Sequence, residues 1–111
     1  MIVSKEISYQ GEFSMSGPEK KAENSIKKYL DKLGAYYLKV HGSMYQPAGT
    51  PDILACVNGR FIGIEVKRPG GGTVSALQKS KLNKIENAGG VAIVARSVED
   101  VSTVLKRRNV I

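Results

Sequence analysis

The sequence predicts an α/β fold: a central mixed sheet flanked by helices, in the order αβββαβ, with one further helix at the C-terminus. Three observations carry this. Apolar residues recur at helical spacing in stretches beginning near Pro18, Ser75 and Ser97. Two runs rich in Ile, Val and Leu flank Asn58-Gly59, the strongest short signal for a type I′ hairpin. Val91-Ala92-Ile93-Val94-Ala95-Arg96 is a continuous apolar run, as in a strand buried on both faces. A crossover helix before that run places it parallel to the second hairpin strand.

The elements follow in order. Residues 1–17 form an N-terminal arm. Ile2 to Tyr9 reads as a short strand and the Gly- and Ser-rich remainder as loop, either loose or packed on a second subunit. The domain proper spans 18–111. Pro18 suits a first helical turn, with Glu19 near the positive end of the dipole. Ala22, Ile26, Tyr29, Leu30 and Leu33 make the apolar stripe, and Gly34 stops the helix as a C′ residue. Glu23 sits at the edge of that stripe and faces partly inward, unless it is a solvated partner of Lys27. Residues 35–40 read as a strand, and 41–50 as a loop leading into the hairpin. After Lys67, Arg68-Pro69-Gly70-Gly71-Gly72-Thr73 is either a linker or a mobile flap whose backbone approaches phosphate. Ser75-Ala76-Leu77-Gln78 is a capping box, and the helix it opens runs to about Ala88, packing through Leu77, Leu82 and Ile85. Ser97 caps the last helix. Lys106-Arg107-Arg108 either complements its dipole or touches a nucleic-acid backbone.

Composition narrows the function. The chain has 111 residues and a net charge of +7, with 17 Lys and Arg against 10 acids, which suits a polyanionic partner. The one cysteine, Cys56, has no internal disulfide partner, and is expected as a buried small hydrophobe in a reducing compartment. No apolar run is long enough for a membrane span, so no membrane partner is expected. The start, Met1-Ile2-Val3-Ser4-Lys5-Glu6, lacks an apolar signal region, and an intracellular protein is expected. With no Trp and two Phe, a stacking platform for single strands is not expected.

The hairpin brings chemistry together. With Asn58-Gly59 as the loop, Val57 faces Arg60, Cys56 faces Phe61, Leu54 faces Gly63 and Asp52 faces Glu65. Lys67 shares the face of Glu65. Two facing carboxylates repel and need compensation, and a divalent cation with a taste for hard oxygen, Mg²⁺ or Mn²⁺, supplies it. Two acids and a lysine around such a metal suit phosphodiester hydrolysis: the metal activates water, and the lysine orients it or stabilises developing charge. The plain alternative is a surface hairpin with a salt bridge from Lys67. Gln78 either only closes its cap or points into the site. Lys39, His41, Tyr45 and Gln46 are candidate phosphate or sugar contacts, with Arg68 beside them, since loops next to sites carry such contacts.

Pro51-Asp52 followed by Glu65-Val66-Lys67 resembles the signature of the PD-(D/E)XK nucleases, whose restriction-endonuclease-like core is αβββαβ. Residues 19–105 resemble the virus-type replication-repair nuclease (VRR-NUC) family within that superfamily. The likeness lies in Ala22-Glu23-Asn24-Ser25-Ile26, Gly49-Thr50-Pro51-Asp52-Ile53, the run from Gly59 to Gly71, Gln78, and Ala88-Gly89-Gly90-Val91-Ala92. The resemblance implies that Asp52 and Glu65, with the Val66 carbonyl, ligate Mg²⁺ or Mn²⁺. It implies that Lys67 acts on the water, and that Glu23, or Glu19 one turn away, completes the metal shell. Gln78 is placed nearer the substrate. Small family members occur in phages and bacteria, and the resemblance implies a homodimer cutting branched DNA such as four-way (Holliday) junctions, in DNA repair. The alternatives are an archaeal-type junction resolvase, a restriction-like nuclease, or a non-catalytic or partner-dependent DNA-binding module.

Overall fold

In the computed structural model, residues 17–41 and 46–111 are described. The expected arm at 1–17, except Gly17, and the expected contact Tyr45 lie outside them. The elements are α1 (Gly17–Lys32), β1 (Tyr36–Lys39), β2 (Ile53–Val57), β3 (Arg60–Val66), α2 (Ala76–Asn87), β4 (Val91–Ala95) and α3 (Val98–Arg107). The four strands form one sheet in the order β1-β2-β3-β4. β1, β2 and β3 are antiparallel neighbours, and β4 joins β3 in parallel. The expected αβββαβ order with a terminal helix is the observed one.

Local chemistry explains the boundaries. Asn58 and Gly59 both have positive φ, 49° and 80°, as a type I′ turn requires. Val57 accordingly pairs with Arg60, Cys56 with Phe61 and Leu54 with Gly63. At the end of α1, the Ala35 N–H donates to the Leu30 carbonyl across Gly34, whose φ is 74°. Ser75 and Gln78 close a reciprocal capping box on α2. The Ser97 hydroxyl accepts from the Asp100 N–H at the start of α3.

Strand alternation sorts the layers. Ile62, Ile64 and Val66 of β3 are fully buried and share a core with Ile26 and Leu30 of α1 and Val101 and Leu105 of α3. Gly63 points the other way, to α2. A Cβ added there would lie 2.5 Å from the tip of the Ile85 side chain, so the glycine lets this helix sit close on the sheet with Ile85 as placed. The hairpin turn and the C-terminal end of the chain are tied by Asn58 Nδ2, which donates to the Val110 carbonyl at 2.8 Å.

Three expectations fail on the side of the sheet that carries α2. Cys56 is exposed rather than buried. It pairs with Phe61, itself 48% exposed, which shares a shallow depression with Lys81, Lys84 and Ile85 of α2 without being covered by them. Leu77 is likewise 48% exposed. β4 is an edge strand, and its Ala92 and Val94 are half-buried, so it is dry on one face only. Among the described residues, no helix is long and apolar enough to cross a membrane.

Candidate active site

The hairpin ladder ends at Ile53 and Ile64, and the next residues on each strand are Asp52 and Glu65. Asp52 leaves the sheet at a bend. Its Oδ2 accepts from the Val66 N–H at 2.7 Å, and its own carbonyl accepts from the Val40 N–H at 2.7 Å. Those two bonds hold the carboxylate against the end of β3. The Val66 carbonyl leaves its strand on the same edge as its N–H, toward Asp52. Beside Asp52 a depression is lined by Val40, Gln46, Pro47 and Thr50.

Glu65 is 3% exposed and carries a buried oxygen, Oε1, with no hydrogen-bond partner. Its other oxygen, Oε2, accepts from Gln78 Nε2 at 3.0 Å and lies 3.6 Å from Lys67 Nζ. Gln78 Oε1 in turn accepts from Lys67 Nζ at 3.3 Å and from the Ser75 N–H at 2.9 Å. Both readings of Gln78 therefore hold at once: it closes the helix cap and bridges Glu65 to Lys67. Burial and the facing charge of Asp52 push the Glu65 carboxyl up to about 8, with Lys67 opposing. Such a pair keeps a proton at neutral pH unless a cation takes the proton's place.

The Lys67 stem is packed by the loop that follows it. Gly72 has φ 82°, and a Cβ there would lie 3.2 Å from Lys67 Cδ. Arg96, at the end of β4, donates from Nε to the Gly71 carbonyl at 3.1 Å and from Nη2 to the Gly72 carbonyl at 2.9 Å. The run Gly70-Gly71-Gly72 is thus pinned against Lys67, with the Arg68 guanidinium lying over Gly71. Sequence reading missed Arg96. Its signal was a lone basic residue closing an apolar strand, which says nothing of where the side chain goes. It also missed the clamp from Arg108 to Glu86, two bonds of 2.9 Å, which draws Arg108 away from the dipole role expected of it.

Glu23 is fully buried, more than its place at the stripe edge suggested, and it does not join Asp52 and Glu65. Lys27, Lys39 and Lys20 surround its carboxylate, with Nζ atoms 3.2, 3.3 and 3.8 Å away. Burial would raise its pKa, but Lys39, Lys27 and Lys20 together outweigh burial and hold it below the usual carboxylate range. Lys39 stands between the two groups, 3.9 Å from Asp52 Oδ1. Among the described residues no three His, Cys, Asp or Glu side chains come together as a ready metal set. Glu19 is half-buried and His41 is exposed.

The donors at hand fit a hard divalent cation: two facing carboxylates, one with an unpartnered buried oxygen, and a main-chain carbonyl on the same edge. The third acid that the resemblance adds is turned to the lysines instead.

No family model matches the sequence, and no curated protein does. Solved structures match through shape. One described as "VRR_NUC domain" is similar over 82% of this chain and 97% of its own, with a TM-score of 0.69 and 21% identity. Another, "VRR_NUC domain protein", is similar over 84% of this chain and 88% of its own, with a TM-score of 0.66 and 19% identity. Arrived at from the hairpin register, the crossover and these likenesses together, the fold of this chain is that of the VRR-NUC nuclease domains.

Proposed function

We propose that this chain is a Mg²⁺- or Mn²⁺-dependent endonuclease that hydrolyses phosphodiesters in branched or otherwise structured double-stranded DNA, working inside the cell as a homodimer. The observation that supports it most is the facing pair Asp52 and Glu65, tied through Gln78 to Lys67, on a nuclease fold. In this reading Asp52, Glu65 and the Val66 carbonyl hold the metal. When bound, the metal supplies Lewis-acid polarisation of the phosphate and lowers the pKa of water.

The chain's own residues do the rest. The Val66 N–H fixes the Asp52 carboxylate, and Gln78 fixes that of Glu65, so neither must reorganise during the reaction. Lys67 is held within reach of the same centre, where its ammonium orients the attacking water and balances charge that develops on the phosphate. The Gly71-Gly72 backbone keeps the Lys67 stem from swinging out. Arg68 and His41, both exposed, are assigned to the DNA backbone. Net charge of +7 gives the encounter its long-range attraction. Two sites related by a two-fold axis would cut two strands symmetrically. The exposed Tyr36 and Leu38 of edge strand β1, with Phe61 of β3 in line with Tyr36 across β2, offer such a dimer an apolar surface.

The test is cleavage of a labelled four-way junction, a flap and plain duplex with Mg²⁺, Mn²⁺ or chelator, by the chain and its Asp52→Ala variant. Metal-dependent cutting of the branched substrates, absent from the variant, is the expected outcome. Paired symmetric cuts in the junction support the dimer. Tight, salt-sensitive binding without cutting under either metal overturns the enzyme reading in favour of a binding module.

A further inference from the structure

Only two charged side chains among the described residues are buried, Glu65 and Glu23. The site above uses the first. The second has no exposure, neither of its oxygens makes a hydrogen bond of good geometry, and three lysine ammoniums lie within 3.8 Å of it. Lys20 and Lys27 share its helix at i−3 and i+4, an ordinary surface pairing by itself. Lys39 comes from a different element, β1, and reaches Asp52 as well. One ammonium neutralises one buried carboxylate. Three of them, with Lys39 shared by Asp52, leave a surplus of positive charge over the two carboxylates, and it sits at the edge of the catalytic pair.

The lysines are not themselves sealed in. Their side chains are 40%, 27% and 20% exposed for Lys20, Lys27 and Lys39. Each ammonium has three donors; Glu23 engages one face of each, and Asp52 a second face of Lys39, so donors remain free toward solvent. A partly desolvated cluster of ammoniums around a rigid anionic anchor is built to take an anion. Its neighbour Asp52 decides which one, given the proposed nuclease activity on which this inference rests: a phosphate of the DNA backbone.

We propose that Glu23 serves in this chain as a positioning residue, gathering Lys20, Lys27 and Lys39 into a subsite for the backbone phosphate next to the scissile one. The metal stays with Asp52 and Glu65. Lys39, which touches both groups, sets the distance between the phosphate in the subsite and the one being cut.

Two readouts test this apart from cleavage. The first is binding of labelled duplex and junction in chelator, followed by anisotropy over a salt series, for the wild-type chain, Lys39→Met and Lys20→Met. Each variant should lose a phosphate contact, seen as a fall of about 0.9 in the slope of log K against log salt. Binding should weaken several-fold, KM should rise more than kcat falls, and Lys39→Arg should restore most of the loss. The second is calorimetric titration with Mn²⁺. Glu23→Gln should leave the affinity within about twofold, whereas Asp52→Asn should lower it at least about tenfold. In chelator, Glu23→Gln should weaken DNA binding although it adds net positive charge.

Loss of Mn²⁺ affinity in Glu23→Gln comparable to that in Asp52→Asn overturns the proposal, since Glu23 would then be a ligand. An unchanged salt slope in both lysine variants overturns it too. If Glu23→Gln does not fold, shown by its circular dichroism, the lysine variants decide, because each leaves Glu23 two partners. A wild-type chain that cuts branched DNA while the slopes do not move removes the subsite alone. A wild-type chain that binds no nucleic acid removes the nuclease reading with it.

Discussion

Glu23 and Glu65 are both buried glutamates, close to the same aspartate, and their environments drive them in opposite directions. Glu23 comes from a helix and meets three ammoniums, so its charge is kept and its pKa is lowered despite burial. Glu65 comes from a strand and meets Asp52, so its charge is opposed and its pKa rises to about 8. Burial is nearly equal in the two. The sign of the neighbours decides, and the same low-dielectric setting strengthens whichever neighbour is present. A carboxylate already neutralised by lysines has little to gain from a metal. One with an unpartnered oxygen beside a second carboxylate has much to gain.

The sharpest way to break the comparison is to neutralise Glu65. Glu65→Gln should lower Mg²⁺-dependent cleavage on the order of a thousandfold, measured on a four-way junction at saturating metal. Truncating the bridge should cost less: Gln78→Leu should lower activity roughly 10–100-fold while the chain stays folded, because Gln78 orients Glu65 and Lys67.

Stability against pH should separate the two glutamates without any substrate. The folded-state pKa of Glu65 lies above its unfolded value of 4.5, so the metal-free fold binds the extra proton between 4.5 and about 8. Stability should therefore fall as pH rises through that window, by roughly a few kcal/mol when complete. Glu65→Gln should flatten the fall, and Mn²⁺ should raise the melting temperature most at pH 8–9. Glu23 carries the opposite sign. Its contribution is present above pH 4.5 and lost as pH falls through its lowered folded value, so denaturant melts of Glu23→Gln should lack that acid limb. The smallest effect should come from Ser75→Ala, which removes one cap bond from α2 and should cost about 1 kcal/mol in a denaturant melt. Cleavage should change little, since Gln78 keeps its bonds to Glu65 and Lys67.

How far the sequence could be read differs between the same two residues. That Glu65 stands opposite Asp52 was legible from Asn58-Gly59, because a type I′ turn admits one register and each step back along the strands follows from it. The capping box that places Gln78 at the mouth of the site was legible for a similar reason: three residues of helix geometry bring the two side chains to each other's backbone. Glu23 was legible as an acid at the edge of an apolar stripe, with Lys27 one turn on as a partner. Its third lysine lies on β1, and nothing in the spacing of Glu23 and Lys39 says that they meet. Cys56 shows the same limit. Alternation put it on a definite face of β2, but not whether a helix covers that face.

By itself, then, the sequence determined the order of elements, the hairpin register and the helix caps. Each depends on hydrogen bonds between residues a few positions apart, for which backbone geometry allows few solutions. Only the tertiary structure decided that Glu23 belongs to lysines, that Arg96 pins the glycines against Lys67, that Arg108 clamps Glu86 and that α2 leaves Cys56 bare. Those outcomes depend on which distant segments pack together, and the charge and burial around a side chain exist only once they have.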